Sequence, residues 1–303
     1  MSRHTLHNER DHQIMKSTNT GKHAGKVKTI PWLIPIYLFT MIFVFAPIIY
    51  MVILSFMTKA QVWGAIPQFT LENYKRIFEP IYIRTFKDSL KLAFSSTFII
   101  MLVGYPFGYF MARLSEKWKK RMMILMFMPF WISSLVRLNG WIIVFRSNGV
   151  LDKILMALHI TEKPLKLLYS YPAVLVGMVY VLLPFMILSV YSCVDKMDWS
   201  LVEAARDLGA GKFKAFVTVT LPNTVAGLLS GVILTFVPSM GLFFIADILG
   251  GNKIVLVGSV IQEQLTKGRN LPFAAALSVI LLILTSLIIG LYSRIAKTGE
   301  IEM

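Results

Sequence analysis

Six apolar runs dominate the chain, at about 31–56, 90–112, 122–145, 173–191, 225–246 and 273–292. A helix needs roughly 20 apolar residues to cross ~30 Å of hydrocarbon. Within that layer only helices and closed barrels satisfy their own backbone polar groups. The runs therefore predict an all-α integral membrane protein with six transmembrane helices. Pro35 and Pro47 kink the first of them, which membrane helices tolerate. The third run contains Arg137 and Asn139. An arginine inside a span faces protein or water rather than lipid, so Arg137 is assigned to protein contacts. The stretch before the first run is polar and basic, without the pattern of a cleavable signal peptide. The chain divides accordingly into a cytoplasmic polar tail (1–29), a six-helix domain (30–293) and a second cytoplasmic tail (294–303).

Composition points the same way. Of 303 residues, 56% are hydrophobic and only 16% charged, against about a quarter charged in soluble domains. The net charge of +15 is not a nucleic-acid signature here, because the basic residues flank apolar runs, where they set membrane orientation. The N-terminal stretch carries Arg3, Arg10, Lys16, Lys22, Lys26 and Lys28. The loop after the second run carries Arg113, Lys117, Lys119, Lys120 and Arg121. Placing both inside puts both termini in the cytoplasm and loops 57–89, 147–172 and 247–272 outside. A lone cysteine, Cys193, excludes an intramolecular disulfide. The histidines (His4, His7, His12, His23 and His159) lack metal-site spacing, so no metal site is expected.

The segment 195–222, between the fourth and fifth runs, is the most informative. Ser200 and Glu203 have capping-box spacing. Leu201, Ala204, Ala205 and Leu208 share one helical face, and Gly209 stands where a left-handed cap ends a helix. Phe213, Phe216 and Val219 predict a second short helix before Pro222. The result is a helix–turn–helix elbow on the cytoplasmic side, with a small Ala204–Ala205 pair that admits a close partner. A short amphipathic helix of this kind suits a partner's groove; the alternative is a helix lying flat at the lipid headgroups.

This loop resembles the Glu-Ala-Ala loop of bacterial ABC importer permeases. Glu203-Ala204-Ala205, Gly209, Val219 and Leu221-Pro222 match its pattern, with Val219 where isoleucine is usual. The similarity extends to Phe69–Tyr74, Pro129-Phe130-Trp131, Tyr180–Ser192 and Pro238–Phe243. Over nearly everything after residue 30 the chain resembles the first permease subunit of spermidine/putrescine importers. The resemblance implies the six-helix, MetI-like fold of binding-protein-dependent ABC importers. It also implies a second permease, two ATPase subunits that bind ATP and Mg, and an extracytoplasmic solute-binding protein. The elbow residues Glu203, Ala204, Ala205, Gly209, Leu221 and Pro222 would contact the ATPase.

The chain carries no nucleotide site of its own. Gly209-Ala210-Gly211-Lys212 lacks the earlier glycine of a P-loop (Arg206 stands there) and has Phe213 where Ser or Thr is required. No nucleophile–base pattern is present either, so the chain is read as a non-enzymatic part of an ATP-hydrolysing complex. A polycation's path calls for carboxylates and aromatic faces. Asp247, Glu263, Trp131 and Tyr180 are the candidates. Another small solute, an amino acid or an organic cation, is the alternative substrate class. A secondary transporter or channel is the alternative of a different kind, although the runs show neither intramembrane acids nor a filter.

Overall fold

The computed structural model describes residues 30–251 and 253–301, with side chains described from Pro35 to Arg294 apart from Asn252. The polar stretch 1–29, with His4, His7, His12 and His23, lies outside the described residues. Of the tail at 294–303, only the backbone to Ile301 is described beyond Arg294. The chain divides into two units, Met1–Met51 and Val52–Met303.

The first unit holds α1 (Ile30–Thr40), a π-turn at Met41–Phe45 and most of α2 (Ala46–Ser55). Pro47 has no N–H for the carbonyl four residues earlier. The ladder widens just before it, with the Ala46 N–H donating to the Met41 carbonyl. Thr40 Oγ1 donates to the Ile36 carbonyl at 2.8 Å.

In the second unit, a short antiparallel hairpin, β1 (Met57–Lys59) and β2 (Ala65–Phe69), precedes α3 (Glu72–Ile77). This hairpin was not anticipated from the sequence. The Phe69–Tyr74 segment acts as a staple. Phe69 stacks on Phe56 with ring centroids 5.5 Å apart. Asn73 Nδ2 donates to the carbonyls of Ser55 and Met57 at 3.0 and 2.9 Å. The Tyr74 hydroxyl meets Ser55 Oγ at 2.7 Å.

The second run lies in α4 (Pro80–Ala112), a helix of 33 residues. At 1.5 Å per residue it is about 50 Å long, well beyond the hydrocarbon thickness. Its first turns, assigned to a loop from sequence, therefore belong to the same helix as the span. The third run departs most from expectation. It is not one helix over 122–145: α5 (Glu116–Phe127) and a 3₁₀ turn (Met128–Trp131) give way to α6 (Ser134–Phe145) and α7 (Val150–Ala157), with a bend of 92° at the break. Pro129 removes a ladder donor, and the Arg137 side chain satisfies the Ile132 carbonyl at the break. The fourth run is α8 (Tyr171–Val194).

The fifth span begins earlier and ends sooner than expected. Its helix is continuous from α10 (Lys212–Ala215) through a π-turn (Phe216–Thr220) into α11 (Leu221–Gly241). Pro238 lies within its last turn, Leu242 breaks the helix, and α12 (Phe243–Gly250) follows. After α13 (Val257–Thr266), the sixth run lies in α14 (Leu271–Ile301). Among the described residues, five helices are long and apolar enough to cross a membrane, or six with the bent pair taken as one span.

The core is the mutual contact of α4, α8 and α11. Gly104 and Gly108 on α4 leave no room for a Cβ against Met186, Ile187 and Val190 of α8. Gly227 and Gly231 on α11 do the same against Cys193, Ser189 and Met186. Met186 is fully buried and is seated by a glycine from each side. Small residues at four-residue spacing are how apolar helices approach closely where lipid supplies no hydrophobic drive. Two polar contacts tie the same helices: the Tyr105 hydroxyl meets Thr224 Oγ1 at 2.8 Å, and Ser189 Oγ donates to the Gly227 carbonyl at 2.8 Å. Each contributes roughly 0.6 kcal/mol, on the scale measured for interhelical hydrogen bonds in membranes.

Candidate functional site

The elbow is α9 (Ser200–Asp207) followed by the start of the fifth span. Its N-terminus differs from the sequence reading. Ser200 is the first helical residue rather than the cap, and the Ser200 N–H donates to Asp198 Oδ1 at 3.0 Å. Hydrogen bonds from the Ser200 hydroxyl and N–H hold the Asp198 carboxyl below its ordinary pKa. The Glu203 N–H donates to the Trp199 carbonyl at 3.2 Å, as in a first helical turn.

The C-terminus of α9 is closed by two backbone bonds. The Gly209 N–H donates to the Arg206 carbonyl at 2.9 Å, and the Ala210 N–H to the Ala205 carbonyl at 3.0 Å. This pairing is a Schellman motif, which requires a left-handed residue. Gly209 supplies it with φ +87°. The chain then turns back into α10. The second elbow helix expected from Phe213, Phe216 and Val219 is not separate but the beginning of the fifth span. Pro222 lacks the N–H its ladder needs, so the preceding turn widens and the Leu221 N–H reaches the Phe216 carbonyl. Asn223 Nδ2 and Thr224 Oγ1 satisfy the Val219 and Thr220 carbonyls at 2.7 and 2.8 Å.

The elbow turns an apolar edge outward. Leu208 is 90% exposed and Phe213 81%, with Leu201, Glu203, Ala204 and Arg206 also exposed and Ala205 half-buried. Leu221 and Pro222, by contrast, are half-buried at the root. An exposed leucine and phenylalanine flanked by charges form a surface with material still to bury. On its inner side the elbow is bolted to α4 by residues the sequence reading did not single out. Trp199 and Phe216 both pack edge-on against Tyr109, at centroid distances of 6.1 and 5.7 Å. The Arg113 guanidinium lies 5.2 Å from the Trp199 ring centroid and 5.7 Å from that of Tyr109. A cavity of about 360 Å³ lies between them, with Glu203 and Arg206 at its wall. Lys119 adds a second tie, its Nζ 2.6 Å from Asp195 Oδ1 and 3.0 Å from Glu116 Oε1, joining α5 to the end of α8. The elbow thus has an apolar edge turned out and an aromatic root packed on α4.

The residues proposed for a substrate path have separate surroundings. Asp247, on α12, is half-buried and accepts a hydrogen bond from Ser259 Oγ at 2.8 Å. Glu263, on α13, is exposed, with Lys267 Nζ at 3.9 Å. Trp131 is 84% exposed at the break in the third span. Tyr180, on α8, packs edge-on against Trp141 at 5.5 Å and carries the Arg137 guanidinium 5.5 Å from its ring centroid. The Asp247–Ser259 bond draws α12 and α13 together, and Tyr180 lies against Arg137, the arginine assigned from sequence to protein contacts. Among the described residues no three His, Cys, Asp or Glu side chains come together as metal ligands.

The family described as "Binding-protein-dependent transport system inner membrane component" matches residues 104–298. The spermidine/putrescine transport system permease protein PotB of Escherichia coli (strain K12) is 37% identical over 271 residues, covering 89% of this chain and 96% of that protein. A bacterial alginate ABC transporter, solved in complex with an alginate pentasaccharide-bound periplasmic protein, superposes with a TM-score of 0.69. It is 16% identical and covers 89% of this chain and 93% of its own. The MetNI methionine ABC transporter, in inward-facing conformations, gives a TM-score of 0.55 at 20% identity, covering 72% of this chain and 95% of its own. At these identities the two structures speak for the fold, which is the MetI-like one expected.

Proposed function

Because the chain belongs to the family of binding-protein-dependent transport system inner membrane components, we propose that it is one of two permease subunits of an ATP-driven importer of polyamines. The chain is a multi-pass inner-membrane component. It forms the translocation path together with a second, different permease. Two ATPase subunits bind ATP and Mg and hydrolyse the nucleotide, and an extracytoplasmic binding protein delivers spermidine or putrescine. Both termini lie in the cytoplasm, on the side of the basic loop Arg113–Arg121.

The observation that carries the coupling role is the elbow at Ser200–Gly209. Hydrolysis in a separate subunit reorients membrane helices only through a contact that biases two states. The elbow offers that contact with Leu208 and Phe213, and its root at Trp199 reaches α4 while α10 runs directly into α11. A push on α9 therefore reaches two of the three core helices. Polyamine specificity is supported by the likeness over nearly the whole chain to a spermidine/putrescine permease. The test is ATP hydrolysis by the reconstituted complex with its binding protein. Loaded with spermidine or putrescine, the receptor raises hydrolysis above the unloaded level; a rise with amino acids and none with polyamines would move the substrate to another class.

A further inference from the structure

An arginine inside a span requires compensation. Arg137 has no carboxylate partner among the described residues. Its Nε donates to the Ile132 carbonyl at 3.2 Å, where the third span breaks. Its guanidinium lies over two rings, 5.0 Å from the centroid of Phe130 and 5.5 Å from that of Tyr180. Both rings are braced: Phe185 packs edge-on against Phe130 at 5.8 Å and Trp141 against Tyr180 at 5.5 Å. Phe130, Arg137 and Phe185 line a cavity of about 510 Å³ together with Ser133, Ser134 and Phe244, and Tyr180 is joined to it through the Arg137 guanidinium. That volume falls in the range of small-molecule sites, roughly 300–1,000 Å³.

The surroundings of Arg137 are those that recognise an organic cation: ring faces, hydroxyls and a carbonyl, with no fixed negative charge to lock the arginine in place. An arginine on a flexible stem, held by ring faces rather than by a salt bridge, is exchangeable. A polycation entering this cavity meets a positive charge only while the arginine remains between the rings.

We propose that Phe130 and Tyr180 form an ammonium-binding station on the translocation path, and that Arg137 is its tethered resting occupant. The arginine holds the site closed to stray cations and leaves it as a substrate ammonium takes its place. The identity of that ammonium as part of a polyamine rests on the reading above; the station itself requires only an organic cation.

The test uses the purified complex of both permeases and both ATPases, without receptor, and measures binding of radiolabelled spermidine and of tetramethylammonium. Arg137→Gln vacates the rings and tightens binding of both probes about 5- to 30-fold, the range of a desolvated cation–π contact. Arg137→Lys, which keeps a tethered cation, shows little of that gain. Adding Phe130→Leu and Tyr180→Leu to Arg137→Gln abolishes it. Equal affinity in wild type and Arg137→Gln overturns the proposal, as does a gain that survives removal of both rings. Should Arg137→Gln fail to assemble, Tyr180→Leu alone decides. It should lower spermidine uptake several-fold while loaded receptor still stimulates hydrolysis, and wild-type uptake in this variant overturns the proposal. The two readings fail separately. If the polyamine reading alone is wrong, wild-type proteoliposomes import no spermidine but tetramethylammonium still distinguishes the variants. If the station alone is wrong, spermidine is imported and the variants bind alike.

Discussion

Gly209→Val isolates the elbow's geometry from its packing. A Cβ built on Gly209 meets nothing within 4 Å, so the substitution causes no clash. Its cost is the backbone: Gly209 sits at φ +87°, where an L-residue loses roughly 1–2 kcal/mol and a β-branched one does worse. Relieving that strain breaks the two bonds that close α9, from the Gly209 and Ala210 N–H groups, and swings α10 away from its course. If docking requires the closed elbow, about 2 kcal/mol corresponds to about 30-fold weaker retention of the ATPase. Gly209→Asn supplies the control, since asparagine tolerates the left-handed region and should stay near wild type. The assay is the amount of ATPase co-purifying with membranes across an ATPase titration, beside uptake and permease abundance. Permease abundance should hold, because Gly209 lies outside the spans. Normal retention and uptake in Gly209→Val would refute the coupling role, and so would equal damage from valine and asparagine.

Other outcomes follow from particular contacts. Gly231→Leu drives a side chain into Met186 at the α8–α11 contact, and should destabilise the solubilised permease by about the 1–3 kcal/mol typical of overpacking, read as a lower melting temperature; unchanged thermal stability would show that the helices separate freely there. Asp247→Asn removes a half-buried charge but retains an acceptor for Ser259 Oγ. Polycation uptake should fall at low concentration with assembly intact, and unchanged uptake across concentrations would make Asp247 a structural carboxylate. Single cysteines on a Cys193→Ser background, labelled in intact cells, should be protected at 113–121 and reactive at 60–85; the reverse pattern would invert the orientation.

Hydropathy made the spans legible because lipid imposes one requirement on every turn of every span. It could not show where a span breaks. Pro129 and Arg137 were both visible in the third run, but proline kinks some membrane helices and splits others. The outcome depends on what takes up the carbonyls left open where the helix stops, here Arg137 Nε on that of Ile132. The seating of Met186 is legible in principle, from glycines four apart at Gly104–Gly108 and Gly227–Gly231, a spacing the sequence analysis did not single out. At the elbow, both Asp198 and Ser200 have the chemistry of a cap. The choice falls to Asp198 while Trp199 packs on Tyr109, a contact with no local sequence signal. Gly209 was legible because its left-handed turn depends on the residue itself. Tyr180 was read as a path residue and Arg137 as a protein-contact residue, and the ring geometry joins them.

The central claim is that the exposed edge of α9 is where a separate ATPase acts on this permease. Leu208→Cys, at the most exposed point of that edge, in a Cys193→Ser chain, measures this directly when a short thiol crosslinker is added to the assembled complex with and without ATP. The account predicts a crosslink to the ATPase subunit whose yield changes between the two states, and loss of that crosslink in Gly209→Val. A cysteine at 208 that never reaches the ATPase in an actively transporting complex would contradict it.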